Sequence, residues 1–212
     1  MTKGNELLLD YVGRQLAIYF PDDIDSRLVL KKNIEEAHER LMYSMSKVKL
    51  RGYSQFNYLH SDLYAQFLYF LSNSVWKNSQ DAGVASKLFY LNKVMHGINC
   101  MYDTNMPDIF LLIHCVGTVL GKAEYSDYFV ACQNVTVGSD RGKMPKMKEG
   151  VYMGPGSSIV GNCSVGENVH MAINSSVLNI HIPNAMLVVG VGNKDNYRPI
   201  RRNLIDEQYF IR

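Results

Sequence analysis

The chain has four cysteines, Cys100, Cys115, Cys132 and Cys163, with no paired spacing, and no Cys-x-x-Cys or His-x-x-x-His pair occurs. Neither a disulfide framework nor a zinc site is expected; free thiols in a reducing cytoplasm are. The longest apolar run, Ile109 to Leu120, is interrupted by His114 and is too short to span a bilayer. The N-terminus, Met1-Thr2-Lys3-Gly4-Asn5-Glu6, is polar, so no secretory signal is read there. With 22 Lys and Arg against 20 Asp and Glu, the net charge of +2 is too small to argue for nucleic acid. Proline is missing between Pro21 and Pro107, which permits long helices throughout that stretch. Glycine is scarce there too: residues 1–116 hold five glycines and residues 117–212 hold eleven.

What is present in the glycine-poor half is helical periodicity. Leu7, Leu8, Val12, Leu16 and Phe20 step along one face before Pro21 stops it. Asp25 or Ser26 is placed to cap a second helix with Leu28, Leu30, Ile34, Ala37, Leu41 and Met45. Ser61 and Asp62 begin a third, rich in aromatics (Tyr64, Phe67, Tyr69, Phe70, Trp76), and a fourth runs from about Asp81 to His96.

The other half keeps a different beat. Met147, Met153, Ile159, Val165, Met171 and Val177 recur every six residues, and Val151, Ser157, Cys163, Val169 and Ser175, small or β-branched, follow the first five of them by four. A period of six fits neither a helix nor a plain strand. It suits a solenoid coil of three short strands with one apolar residue per strand pointing inward. Upstream the beat runs through Val137, Ala131 and Tyr125; Leu120 is one residue out of step, which places a deletion in 121–125. Between Val137 and Met147 about four residues are extra, in the basic, turn-rich stretch Gly138-Ser139-Asp140-Arg141-Gly142-Lys143-Met144-Pro145. Loops thrown out of a solenoid are where such folds put binding groups. The expected fold is α+β: a helical domain over 1–98, a parallel β-helix of hexapeptide repeats over 99–195, and a tail over 196–212.

Three segments resemble the serine acetyltransferase-like family of hexapeptide-repeat acyltransferases. Ile113-His114-Cys115-Val116-Gly117-Thr118-Val119-Leu120-Gly121 is similar to the stretch carrying that family's catalytic histidine. Gln133-Asn134-Val135-Thr136-Val137-Gly138 is similar to its Gln-x-Val-Thr-Leu-Gly segment before the extruded loop. Pro145-Lys146-Met147 through Val177, with Ile182-Pro183 and Val189-Gly190-Val191-Gly192, follows its last coils. The resemblance implies a left-handed coil and direct acetyl transfer from acetyl-CoA to a hydroxyl, with His114 as general base. Histidine suits that task because its ordinary pKa lies near operating pH. Gly117, just after it, allows close approach. The resemblance also implies acetyl-CoA in a groove between β-helices of a trimer, or of a dimer of trimers, touching Gly138, Gly154, Pro155 and Ala172, with Lys194 and Arg198 near its 3′-phosphate. No metal is expected.

The departures bear on the acceptor. The family has aspartates immediately before and some fifteen residues before its histidine; here those positions are Ile113 and Asn99. Its loop carries an Arg-His pair; here Lys143-Met144 precedes Pro145. An ammonium group loses its counterions by this count, and a buried unpaired charge is expensive. A sugar hydroxyl, as in surface polysaccharide biosynthesis, is therefore the expected acceptor, held by Asn99, Gln133, Asn134 and Lys143. Asp103 and Asp108 are alternative partners for His114, and equally turn residues. The alternatives are serine O-acetylation feeding cysteine synthesis and a non-catalytic scaffold. His96 and His170 are read as structural or surface residues, and the aromatic third helix as carrying more apolar surface than one chain can cover.

Overall fold

The computed structural model describes residues 2–22, 24–191 and 196–212. Four helices come first: α1 (Lys3–Tyr19), α2 (Arg27–Ser46), α3 (Ser61–Ser74) and α4 (Ala82–His96), with a π-helical turn, Val75–Ser79, continuing α3. Their ends follow from local chemistry. Thr2 caps α1 by accepting from the Asn5 amide, and Asp81 caps α4 by accepting from the Val84 amide at 2.9 Å. Gly97, at φ +67°, closes α4 in the left-handed conformation that lets the last carbonyls bond. For α2 the flanking aspartate acts instead of the serine: Asp25 Oδ1 accepts from the Arg27 amide at 2.8 Å. Leu7 and Leu28 fall off the buried faces and are exposed; Leu9 and Leu30 take the core positions beside them.

Helix α3 is the centre of the helical half. Every residue from Asp62 to Ser74 is buried, under α2, α4 and the strand Phe110–Leu112. The expectation that its aromatics exceed what one chain can cover is thus corrected, because the β-helix supplies the missing cover. Its buried amides donate in place: Gln66 Nε2 to the Phe110 carbonyl at 3.0 Å, and Asn73 Nδ2 to the Tyr102 carbonyl at 2.7 Å.

From Asn99 onward the chain coils into a parallel β-helix of five turns. One sheet stacks Asn99–Cys100, Val119–Leu120, Thr136–Gly138, Ser158–Val160 and Ser176–Leu178. A second stacks Phe110–Leu112, Phe129–Ala131, Tyr152–Met153, His170–Met171 and Met186–Val188, with Tyr197–Pro199 added antiparallel. The third stacks Lys146–Met147, Ser164–Val165 and His181–Ile182. All eleven residues of the six-residue beat and its companion positions are buried, and the register aligns them: Val137 on Ile159 on Val177, Met153 on Met171, Met147 on Val165. Leu120 pairs with Val137 while Glu124 bridges to Lys146, so the second coil is one residue short between them. The four extra residues form a tight turn in which Asp140 and Lys143 exchange backbone hydrogen bonds at 3.0 and 2.9 Å.

The tail packs against the fold. After Tyr197–Pro199 it runs back along the second sheet, burying Ile205, Tyr209 and Phe210. Tyr209 stacks on Tyr152, with ring centroids 5.6 Å apart, and Phe210 meets Tyr128 edge-on. The Ile211 amide then donates to the Lys47 carbonyl at 2.8 Å, and the Lys49 amide to the Tyr209 carbonyl, which ties the tail to the end of α2. His170 points outward on its sheet, yet it is buried beneath this strap and is not a surface residue. Among the described residues no helix is long and apolar enough to cross a membrane.

Candidate active site

Three edges run the length of the prism, and one of them gathers most of the residues singled out by sequence. Along the edge between the second and first sheets, the Asn134 amide donates to the Val116 carbonyl, the Gly156 amide to Gln133, and the Asn174 amide to Pro155, all at 2.9 to 3.0 Å. His114, Gln133, Asn134, Gly154, Pro155 and Ala172 therefore lie on one line. Position by position, Gly117, Asn134, Gly156 and Asn174 each take a positive φ between 54° and 74°. The ladder alternates because each asparagine fills the space over a glycine: a β-carbon on Gly117 would sit 2.1 Å from Asn134 Oδ1, and one on Gly156 2.3 Å from Asn174 Oδ1. Gly154 has a structural cause as well, since a β-carbon there would meet the Met171 carbonyl at 2.7 Å. Ser157 and Ser175 are fully buried, inside the prism and away from any groove on this edge.

The remaining expectations separate. Asn99 pairs with Val119 on the first sheet, one step past the His114 turn, and its amide donates to the Thr118 carbonyl at 2.8 Å. Gly138 belongs to the next edge, where its carbonyl accepts from the Gly161 amide. Lys143 is exposed on the extruded turn and lines a cleft with Asp103, Asn105, Lys122 and Asn162, apart from His114 in the same chain. Lys194 lies outside the described residues. Arg198 sits in the antiparallel strand, paired with Leu187. Asp103 is taken by Lys122 at 2.8 Å, and Asp108 is exposed beside Pro107; neither reaches His114.

His114 closes the strand Phe110–Leu112 and turns the chain onto the edge at φ +52°, a left-handed conformation uncommon outside glycine but one that histidine adopts more often than most residues. What holds it is Asp62, in the first turn of α3. Asp62 Oδ2 accepts from the His114 amide at 2.9 Å and Oδ1 from the Cys115 amide at 3.2 Å. Oδ2 also lies 4.0 Å from His114 Nδ1; the imidazole is 79% exposed, the carboxylate only 7%. Sequence reasoning took Asp62 for a helix-start residue, a role its type and place would equally fit.

Burial shifts the groups around this carboxylate toward their uncharged forms. Burial, and after it the charge and hydrogen bond of Asp62, push the Cys115 thiol up to about 12. Burial also raises the Tyr53 hydroxyl above its ordinary value, with Asp62 adding to the effect; that hydroxyl donates to the Leu112 carbonyl. Burial lowers His96, against an opposing pull from Asp62, and its Nδ1 lies 2.8 Å from Asn92 Oδ1. The one ion-pair contact of Asp62 among the described residues is His114. Among those residues no group of three His, Cys, Asp or Glu side chains is arranged to hold a metal ion.

No protein-family model matches the chain. In sequence it is 30% identical over 129 residues to a serine acetyltransferase of Synechococcus elongatus, a match covering 58% of this chain and 52% of that protein. It is 26% identical over 137 residues to one of Staphylococcus epidermidis, covering 62% of this chain and 63% of that one. The chain thus spans between about half and somewhat under two thirds of the length of these curated relatives. Among solved structures, a serine acetyltransferase in complex with cysteine superposes at a TM-score of 0.74 and 22% identity, covering 96% of this chain and 84% of that one. One in complex with CoA does so at 0.72 and 21%, covering 91% and 83%. The chain is similar in sequence to the serine acetyltransferases and carries their fold, helices ahead of a parallel β-helix.

Proposed function

We propose that this chain is an acetyl-CoA-dependent O-acetyltransferase whose acceptor is serine or a close relative of it. The observation that carries the reading is the placement of His114 at the head of an edge lined by Gly154, Pro155 and Ala172, in a fold shared with serine acetyltransferases. An exposed imidazole there is free to meet an acceptor hydroxyl. In the step itself, the hydroxyl oxygen attacks the thioester carbon while His114 Nε2 takes its proton. The tetrahedral intermediate then collapses with loss of the CoA thiolate, which takes up a proton. Backbone amides on this edge are candidate donors for the oxyanion.

A sugar acceptor loses its main support. It rested on the absence of carboxylates near His114, and Asp62 brings one from the helical half; the sequence relatives are also named for serine. Ile113 and Met144 still stand where the family resemblance implies charged groups, which keeps a changed acceptor pocket in view. With His114 on an open edge of one chain, the groove gains its second wall from a neighbouring β-helix in a trimer. The extruded turn with Lys143 is then supplied by that neighbour.

The experiment is release of free CoA from acetyl-CoA by the purified chain, with L-serine in one reaction and a panel of hexoses and nucleotide sugars in others. Serine-dependent release with formation of O-acetylserine is expected. Release with a sugar and not with serine overturns the acceptor assignment, and silence with every acceptor overturns the activity. Light scattering gives the mass of the assembly, which the trimer requires to be three times 24.1 kDa.

A further inference from the structure

We infer that Asp62, on the helical half, is the positioning residue for His114: its Oδ2 accepts a hydrogen bond from Nδ1–H in the working complex and so leaves Nε2 as the free base. The inference rests on His114 being the base of the proposed reaction. Two observations support it. The oxygen that anchors the His114 backbone is the same one that lies 4.0 Å from Nδ1, so the exposed ring must draw closer by about 1 Å to make the bond. Asp62 is a buried carboxylate whose neighbours Cys115, Tyr53 and His96 are shifted by burial toward their uncharged forms, which leaves the exposed His114 ring as its side-chain partner. A buried carboxylate costs several kcal/mol unless it is hydrogen-bonded and paired.

A base, its orienting acid and the exposed nitrogen form the logic by which a histidine's tautomer is fixed. Here the acid arrives from another part of the chain, 52 residues earlier. The helical half is then part of the catalytic apparatus as well as a cover for the β-helix. A bare backbone anchor would need only the two amide contacts, so the test must read the imidazole.

The tautomer of His114 is read by ¹⁵N NMR on histidine-labelled full-length protein with CoA and L-serine bound at neutral pH, its signal assigned among six histidines by loss in His114→Asn. The expected result is an Nδ1–H tautomer that shifts toward Nε2–H in Asp62→Asn. An Nε2–H tautomer in the unaltered protein, or no change in the variant, overturns the inference. In steady-state assays Asp62→Asn is expected to lower kcat by about 100-fold or more while leaving KM for acetyl-CoA within about twofold. Asp62→Glu, which keeps the charge, recovers part of the loss; equal loss of kcat in both variants with a changed tautomer in neither marks a structural anchor only. If Asp62→Asn fails to fold, the tautomer of the unaltered protein decides alone. If the unaltered protein shows no turnover with any acceptor, the proposed reaction fails, while the tautomer still judges the Asp62 contact.

Discussion

The last three coils of the β-helix and the first two are built on the same plan but finished differently. In the last three, each turn is supported by the next: Ser158, Ile159 and Val160 lie over Ser176, Val177 and Leu178, and the Gly156–Asn174 and Gly161–Asn179 contacts repeat at successive edges. In the first two the repeat is broken. Nine residues, Met101–Ile109, intervene between Cys100 and Phe110, and the second coil is a residue short. Phe110–Leu112 is the open edge of its sheet, and helices supply what a further coil would have. Ser44 and Gln66 donate to the Phe110 carbonyl, Tyr53 to the Leu112 carbonyl, and Asp62 accepts from His114 and Cys115. A solenoid end must be capped to stay soluble. In this chain the capping also brings a carboxylate beside the histidine, so the proposed chemistry falls where the repeat cannot complete itself.

The largest effect should come from removing the group that the broken end presents. His114→Asn keeps a residue that tolerates positive φ and is expected to reduce kcat by about 100- to 10,000-fold, with the thermal midpoint little changed. CoA release under saturating acceptor measures it. An unchanged rate would make the first coils a cap only and erase the functional contrast with the last three.

The strap that joins the two regions is next. Phe210 is fully buried, packed on Tyr128, and lies in a bridge to Val48. Phe210→Ala should destabilise the fold by about 3–5 kcal/mol, the usual cost of emptying an aromatic core site. Denaturant titration reads this as a lower midpoint. A loss near zero would mean that the tail is not holding helices to coils.

A matched pair of glycine substitutions sharpens the comparison further. Gly156→Ala and Gly117→Ala both place a β-carbon against an asparagine oxygen at a positive φ, so each should cost about 1–2 kcal/mol from backbone strain alone. The regular coil should lose only stability. Next to His114 the same change should lower turnover too, because the turn that aims the imidazole is displaced. Equal turnover in the two variants would mean that the edge is uniform along its length.

How much of this is legible in sequence follows the same division. Coils three to five are legible because every structural demand is met within a few residues: Met153 and Ile159 point inward on a fixed period, and the corners show their glycines and asparagines. Helix ends read well where one side chain does the capping, as at Asp81 and Gly97. Asp62 is illegible because its partner is 52 residues away and an acidic residue at a helix start already has a sufficient reason to be there. The cover of α3 was missed for a related cause: apolar residues declare that they will be buried, not by what. Likewise Tyr209 and Phe210 in a short terminal stretch give no period from which to infer the sheet they lie against.

The smallest effect separates strap from cap by pH. His170, beneath the tail, and His96, beside Asp62, are both held below their ordinary value of 6.5, chiefly by burial. A histidine depressed in the folded state binds its proton more readily when unfolded, so unfolding takes up protons below the ordinary value. The stability these groups contribute is whole above about pH 6.5 and declines as pH falls from there through their folded values. Melting scans from pH 7.5 to 5 should therefore show a falling midpoint. His170 is buried beneath the tail, three strands away from Phe110–Leu112 on the second sheet, so His170→Gln should flatten part of that slope without touching kcat. His96→Gln, set among Asn92, Tyr64 and the Asp62 cluster, should flatten another part and alter turnover as well. If both variants change the slope and neither changes turnover, His96 is as inert toward chemistry as His170, and Asp62 acts without the support of that buried neighbour.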